Sequence, residues 1–246
     1  KRDREYNEEN MEKLTGFYTA LKEIKAIHFD MDGSLVDSRQ AWVNSELDLL
    51  RSYGVQQTKE EIHEKTRDEL VGRGQWFAAR FYRENFDIQA PVKEIRNKRI
   101  NIVKRYYGQA PLLDGAEEFV RAVCGSSVKV TLATSAPLDM AKIFLRENDL
   151  GDCFDAIVSD DQVEESKPSP EIFLKASEAV GVRPEESLVV EDSGPGLMAA
   201  KEAGALCLIV PNENLSLDGD DLLSRADFIV GSMAHLDLRK IESILS

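Results

Sequence analysis

Two carboxylates stand two residues apart in Phe29-Asp30-Met31-Asp32-Gly33-Ser34, directly after the apolar run Ala26–Phe29. Aspartates this close can divide labour: one attacks an electrophile or holds a metal, and the other gives and takes a proton. They also repel each other, so a cation is expected with them, and hard oxygen donors favour Mg²⁺. Gly33 permits a tight turn without a Cβ clash. A second acidic pair, Glu191-Asp192, follows the apolar run 188–190 and precedes Ser193-Gly194-Pro195-Gly196. Thr134 and Ser135 close the apolar run 128–133 with two hydroxyls that suit an anion, and Lys167 stands in Ser166-Lys167-Pro168-Ser169-Pro170 at a helix start signalled by Pro170. Taken singly, each has an ordinary reading: an acidic turn, a helix cap, a solvated lysine, a capping aspartate.

The elements that must position these groups read as alternating strands and helices. Short apolar strand candidates fall at 26–29, 128–133, 156–159, 188–190, 206–210 and 228–230, with helical patterns between most of them. Such alternation predicts a parallel sheet covered on both faces, and near-continuous apolar runs such as VKVTLA and LCLIV fit strands buried on both sides. The rhythm breaks from about Arg39 to Tyr107, where only helices are predicted, at 41–53, 59–71, 75–85 and 92–107. Thr58 with Glu61 reads as a capping box, Pro91 as a helix start, and Trp76, Phe77 and Phe81 as an apolar cluster. The division expected is a helical extension at 1–21, an α/β core at 22–38 and 109–246, and an inserted helical domain at 39–108. Met11, Leu14, Tyr18 and Leu21 are spaced 3, 4 and 3 apart, one stripe on a helix that either packs on the core or meets a partner.

The ordered set FDMDGS, LATS, SKPSP and VVEDS resembles the four signature motifs of the haloacid dehalogenase superfamily of phosphohydrolases. The resemblance implies a Rossmann-like core with a helical cap. It makes Asp30 the nucleophile that forms an aspartyl-phosphate and Asp32 the acid that protonates the leaving alcohol and then activates water. It gives Thr134, Ser135 and Lys167 to the phosphoryl group. Mg²⁺ would be held by Asp30, the main-chain carbonyl of Asp32 and Asp192, with Glu191 beside or behind Asp192. An anionic nucleophile meeting an anionic phosphate needs such cations to cancel repulsion.

Departures from the family's subgroups narrow the expectation. Two-carbon dehalogenases and phosphonate hydrolases lack an acid at the position of Asp32. Sugar-phosphate mutases of the β-phosphoglucomutase type carry a His ten residues after the second Asp, where this chain has Trp42. The resemblance therefore implies a phosphatase for a small phosphorylated metabolite such as a sugar phosphate, polyol phosphate or phosphoglycolate. A mutase, or a weakly catalytic phospho-ligand sensor on the same fold, are the alternatives. In the cap, Leu70–Gly74 looks like a substrate loop, and Arg73 and Lys98 are the polar candidates for specificity. His28 reads as buried and hydrogen-bonded, while His63 and His235 lack metal-ligand spacing.

Composition sets outer bounds. The 246 residues carry 31 Lys+Arg against 45 Asp+Glu, a net charge of −14, which argues against a nucleic-acid partner. No apolar run approaches the roughly 18 residues of a membrane span. The charged start at Lys1, which is not Met, reads as a trimmed chain without a secretory signal. Cys124, Cys153 and Cys207 show no close pairing, which predicts separate thiols in a reducing compartment. A cytoplasmic monomer or weak dimer is expected.

Overall fold

The computed structural model describes residues 9–70, 72–108, 110–211 and 223–246. Along the chain, helix α1 (Glu9–Ala20) precedes strand β1 (Ala26–Phe29). Four helices follow: α2 (Arg39–Ser52), α3 (Lys59–Leu70), α4 (Gln75–Asn85) and α5 (Val92–Tyr107). The chain then runs through α6 (Ala116–Val123), β2 (Lys129–Thr134), α7 (Leu138–Glu147), β3 (Ala156–Ser159), α8 (Glu171–Val180) and β4 (Ser187–Glu191). It ends with α9 (Gly194–Ala203), β5 (Leu206–Ile209), β6 (Phe228–Ile229) and α10 (Leu238–Leu245).

The six strands form one parallel sheet in the order β3-β2-β1-β4-β5-β6, with β1 paired to both β2 and β4. The continuous apolar runs have a simple cause: successive residues of a strand point to opposite faces, and both faces are covered. Ile27 and Phe29 of β1, Val130 and Leu132 of β2, and Leu188 and Val190 of β4 enter one cluster with α6 and α7. Val189 and Ala133 enter the other, against Phe173 of α8 and Leu197 of α9. His28 points to this second face, where Thr131 Oγ1 lies 2.8 Å from Nδ1 and Ser177 Oγ 2.9 Å from Nε2. Burial lowers its pKa to about 4, so it is a neutral core residue as its strand position predicts.

The expected extension is α1, and it packs on the core. Phe17, Tyr18 and Leu21 are buried, the Phe17 ring meets Phe228 edge-on at 5.6 Å, and Tyr18 Oη accepts the Asp237 N–H at 2.7 Å. The side chain of Met11 lies outside the described residues. Phe17, absent from the predicted stripe, is the most deeply buried of the described side chains of this helix.

The helices α2–α5 are inserted between β1 and α6 and have their own apolar cluster, built from Leu49, Leu50, Ile62, Ala78, Ala79, Tyr82, Ile95 and Ile102. Thr58 and Glu61 form the expected reciprocal cap of α3, at 2.8 and 3.3 Å. The predicted aromatic cluster is displaced. Helix α4 turns Ala78, Ala79 and Tyr82 inward and leaves Trp76 37% exposed beneath the Arg96 guanidinium.

The cysteines correct the reading of separate thiols. Cys124 and Cys153 are joined as a disulfide with Cα atoms 4.8 Å apart, and Cys207 is the free, buried thiol. Their separation of 29 residues hides a closeness made in space: Cys124 ends α6 just before β2, and Cys153 lies just before β3, which pairs with β2. Among the described residues, no helix is long and apolar enough to cross a membrane.

Candidate active site

The strand order reverses between β1 and β4, and in an open parallel sheet the crevice beyond the carboxyl ends at such a reversal is where ligands bind. Asp30 follows β1 there and Glu191-Asp192 close β4 beside it. The Asp30 N–H donates to Val190 O at 2.9 Å, so one more rung of the ladder holds the backbone of Asp30. The chain then turns sharply: Gly33, at φ 89°, donates its N–H to Val36 O at 2.9 Å. That left-handed conformation favours glycine and returns Asp32 to the mouth of the crevice.

Lys167 reaches the same point from the loop before α8. Its ammonium, 2% exposed, donates to Asp30 Oδ1 at 2.6 Å, Glu191 Oε1 at 2.6 Å and Ala133 O at 3.2 Å. Three acceptors match its three protons. Its pKa is raised: burial opposes the charge, but Asp30 and Glu191 outweigh it. Glu191, expected beside Asp192 as a metal ligand, has its oxygens taken. Oε1 holds Lys167, and Oε2 accepts the Asp192 N–H at 2.9 Å, the Ser193 N–H at 3.0 Å and the Ser193 hydroxyl at 2.9 Å. Three donors crowd Oε2 and Lys167 takes Oε1, so Glu191 braces the β4 loop and anchors the ammonium as well as standing beside Asp192.

The electrostatics call for more positive charge. Asp30, Glu191 and Asp192 are buried with ligand atoms within 4.8 Å of one another, against one ammonium. Burial pushes the Asp30 pKa up to about 8, against the pull of Lys167 and with a further push from Glu191. Asp192 is raised well above the carboxylate range by burial and then by repulsion from Glu191 and Asp30. Hard, crowded, under-neutralised carboxylates of this kind fit a dication such as Mg²⁺.

Asp32 faces the opening. Its Oδ1 accepts two hydrogen bonds, from Trp42 Nε1 at 3.0 Å and from Tyr107 Oη at 2.8 Å. Burial, followed by the nearby Asp32 charge, holds the Tyr107 pKa well above 10, so its hydroxyl stays a donor. Of the two predicted hydroxyls, Ser135 lines the crevice and donates to Gly72 O at 3.3 Å. Thr134 is fully buried at the end of β2 and accepts the Ala136 N–H at 3.0 Å, keeping its own proton to give.

Above the carboxylates, the crevice widens into a cavity of about 500 Å³ that runs into the inserted helices. Its far wall is polar. Glu46 accepts Tyr82 Oη at 2.9 Å and Thr66 Oγ1 at 3.2 Å, and Arg99 donates to Gln75 Oε1 while stacking on the Trp42 ring at 4.4 Å. Burial raises the Glu46 pKa, partly offset by Tyr82 and Arg99. Arg99 is 6% exposed and its Nε has no hydrogen-bond partner. Arg73 also lines the cavity, with its guanidinium over Phe77 at 4.5 Å. Lys98 does not: it lies over the Tyr53 ring at 4.2 Å, outside the cavity wall.

The family profile of the haloacid dehalogenase-like hydrolases matches residues 27–210, which span every group described in the crevice. The chain belongs to this family. Like other haloacid dehalogenase-like hydrolases, it has similar relatives among named phosphatases. It is 31% identical over 223 residues to hexitol phosphatase B of Escherichia coli K12, covering 89% of this chain and 97% of that one. It is 34% identical over 189 residues to a phosphorylated carbohydrates phosphatase of Thermotoga maritima, covering 74% and 82%. The crystal structure of CbbY from Rhodobacter sphaeroides with phosphate superposes with a TM-score of 0.75 at 26% identity, over 89% of this chain and 99% of that one. The hydrolase's cap residues Glu46, Gln75, Tyr82 and Arg99 escape motif reasoning. Their signal is a polar side chain inside an apolar stripe: Glu46 three residues before Leu49, and Arg99 between Ile95 and Val103.

Proposed function

We propose that the protein is a Mg²⁺-dependent phosphatase that hydrolyses a small phosphomonoester with a hydroxylated leaving group, of the sugar or polyol phosphate kind. The observation that carries this reading is Asp30 held against Lys167 at the sheet's reversal point, with Asp32 beside it at the mouth of a cavity of about 500 Å³. Asp30 attacks phosphorus, and the bond to the leaving oxygen breaks as Asp32 gives that oxygen its proton. Water then attacks the aspartyl-phosphate, loses a proton to Asp32 and frees phosphate. Lys167 keeps Asp30 oriented and stabilises charge on the phosphoryl oxygens, towards which Thr134 offers its hydroxyl proton and Ser135 can turn its own from Gly72 O. Mg²⁺, held by Asp30, the Asp32 carbonyl and Asp192, would supply the remaining positive charge.

The cavity supports the leaving-group class. Its size suits a small metabolite. Arg99 and the acid Glu46 share that wall, so it offers both donors and acceptors to hydroxyls. The names of the hexitol and carbohydrate phosphatase relatives agree with that chemistry. Trp42 favours hydrolysis over a mutase, because an indole that donates to Asp32 cannot stand in for a titrating imidazole.

The test is phosphate release from a panel of hexitol 6-phosphates, hexose phosphates, glycerol 3-phosphate, phosphoglycolate and nucleotides. Turnover should be fastest on a polyol or sugar phosphate, vanish with EDTA and return with Mg²⁺. Full turnover in EDTA, or conversion of β-glucose 1-phosphate to glucose 6-phosphate without phosphate release, would reject the reading.

The cap wall makes a separate prediction. Losing a hydrogen bond to a charged group costs about 1.5–3 kcal/mol, or about ten- to hundredfold in rate. Glu46→Gln and Arg99→Met should each lower kcat/KM for the best panel substrate by about that factor, with a smaller loss on p-nitrophenyl phosphate. Lys98→Ala should leave both rates at the parent level. Kinetics on the three variants, each with a melting curve, check this assignment.

A further inference from the structure

We propose that Trp42 and Tyr107 are positioning residues that fix which oxygen of Asp32 carries the transferable proton. Both donate to the same atom, Oδ1, at 3.0 and 2.8 Å. A carboxyl oxygen has two lone pairs in the plane of the group, and two donors occupy them. Oδ1 cannot then take up a proton without losing one of the bonds, which leaves Oδ2 as the oxygen open to proton transfer. In the first step the Oδ2–H proton passes to the leaving oxygen as its bond to phosphorus breaks. In the second, the attacking water returns a proton to Oδ2 as the bond between phosphorus and Asp30 breaks. One oxygen thus serves both half-reactions.

The donors come from the two roots of the inserted helices: Trp42 from the first turn of α2, Tyr107 from the last residue of α5. Their rings meet edge-on at 6.5 Å, and Arg99 covers the Trp42 ring at 4.4 Å. Trp42 therefore touches the acid with its N–H edge and the wall of the leaving-group cavity with its face. Asp32 has no strand of its own: the turn closed by Gly33 and Val36 places its backbone, and these two side chains orient its carboxyl group.

This inference rests on Asp32 being the general acid, and the test separates the two ideas. The variants are Trp42→Phe and Tyr107→Phe, which remove one donor each and keep a ring, alongside Asp32→Asn. The readout is kcat and KM for p-nitrophenyl phosphate, whose leaving group needs little protonation, and for the alkyl phosphate turned over fastest by the parent enzyme. Each Phe variant should lower kcat on the alkyl phosphate about tenfold or more, with KM little changed and a several-fold smaller loss on the aryl phosphate. In the Asp32→Asn background, the same substitutions should not change the aryl-to-alkyl ratio further, because the interaction they remove is with the missing acid. If Asp32→Asn alone fails to discriminate between the substrates, the acid assignment falls. If it does discriminate while both Phe variants lose the two activities equally, or neither, Trp42 and Tyr107 are packing residues and the proposal falls.

Discussion

Asp30→Asn is expected to leave a folded protein whose turnover has dropped by about 10⁴-fold or more on alkyl and aryl phosphates alike. On the proposed mechanism the loss ignores the leaving group, because every substrate would pass through the same attack of Asp30 on phosphorus, and an amide is a poor nucleophile. That separates Asp30 from Asp32, whose removal should spare activated aryl phosphates. Stability should move the other way. Asp30 is 5% exposed, and its charge is opposed by burial and by Glu191 and Asp32. An amide in its place still accepts from Lys167 and removes one like charge from the cluster. The variant's melting temperature in EDTA should therefore equal or exceed the parent's, and mass spectrometry after acid quench should find a phosphoryl adduct on the parent and none on the variant. An adduct that survives in Asp30→Asn would move the nucleophile elsewhere. An adduct absent from both proteins would favour direct attack by water.

The core of this site is legible in the sequence because it is built from strand ends. A buried parallel strand is a short apolar run, and the residue after it must lie at the edge of the sheet. The position of Asp30, Thr134, Glu191 and Asp192 thus follows from the apolar runs 26–29, 128–133 and 188–190 with no tertiary knowledge. The cap is less legible, because on a helix each residue turns by about 100°. Lys98 and Arg99 are neighbours in sequence, yet one lies on Tyr53 and the other lines the cavity. Contacts between distant segments carry no local pattern at all. Tyr107 meets Asp32 across 75 positions, and Cys124 joins Cys153 across 29. Phe17 shows a further limit: it sits beside Tyr18 and fell outside the predicted stripe, yet it is fully buried because β6 lies against that side of α1.

Lys167→Met should damage both the fold and the chemistry. The parent ammonium is 2% exposed and is the cation bonded to both Asp30 and Glu191, each at 2.6 Å. A methionine fills similar space but leaves the buried carboxylates without that charge. Breaking a buried pair by removing one partner costs about 3–5 kcal/mol, well above the median exposed ion pair. Much of that cost falls on Glu191, which loses its Oε1 partner while still holding the Asp192 and Ser193 N–H groups that shape the β4 loop. Turnover should fall by at least about 10²–10³-fold, the usual effect of deleting one donor aimed at developing charge. A dication binding among the same carboxylates replaces part of the lost charge, so Mg²⁺ should raise the melting temperature of Lys167→Met more than that of the parent. Denaturant titrations of both proteins, with and without Mg²⁺, read out the stability terms, and phosphate release reads out the rest. Parent-like stability together with lost turnover would make Lys167 a group that acts only on the phosphoryl oxygens. Lost stability without a larger response to Mg²⁺ would mean that the metal and Lys167 do not share these carboxylates.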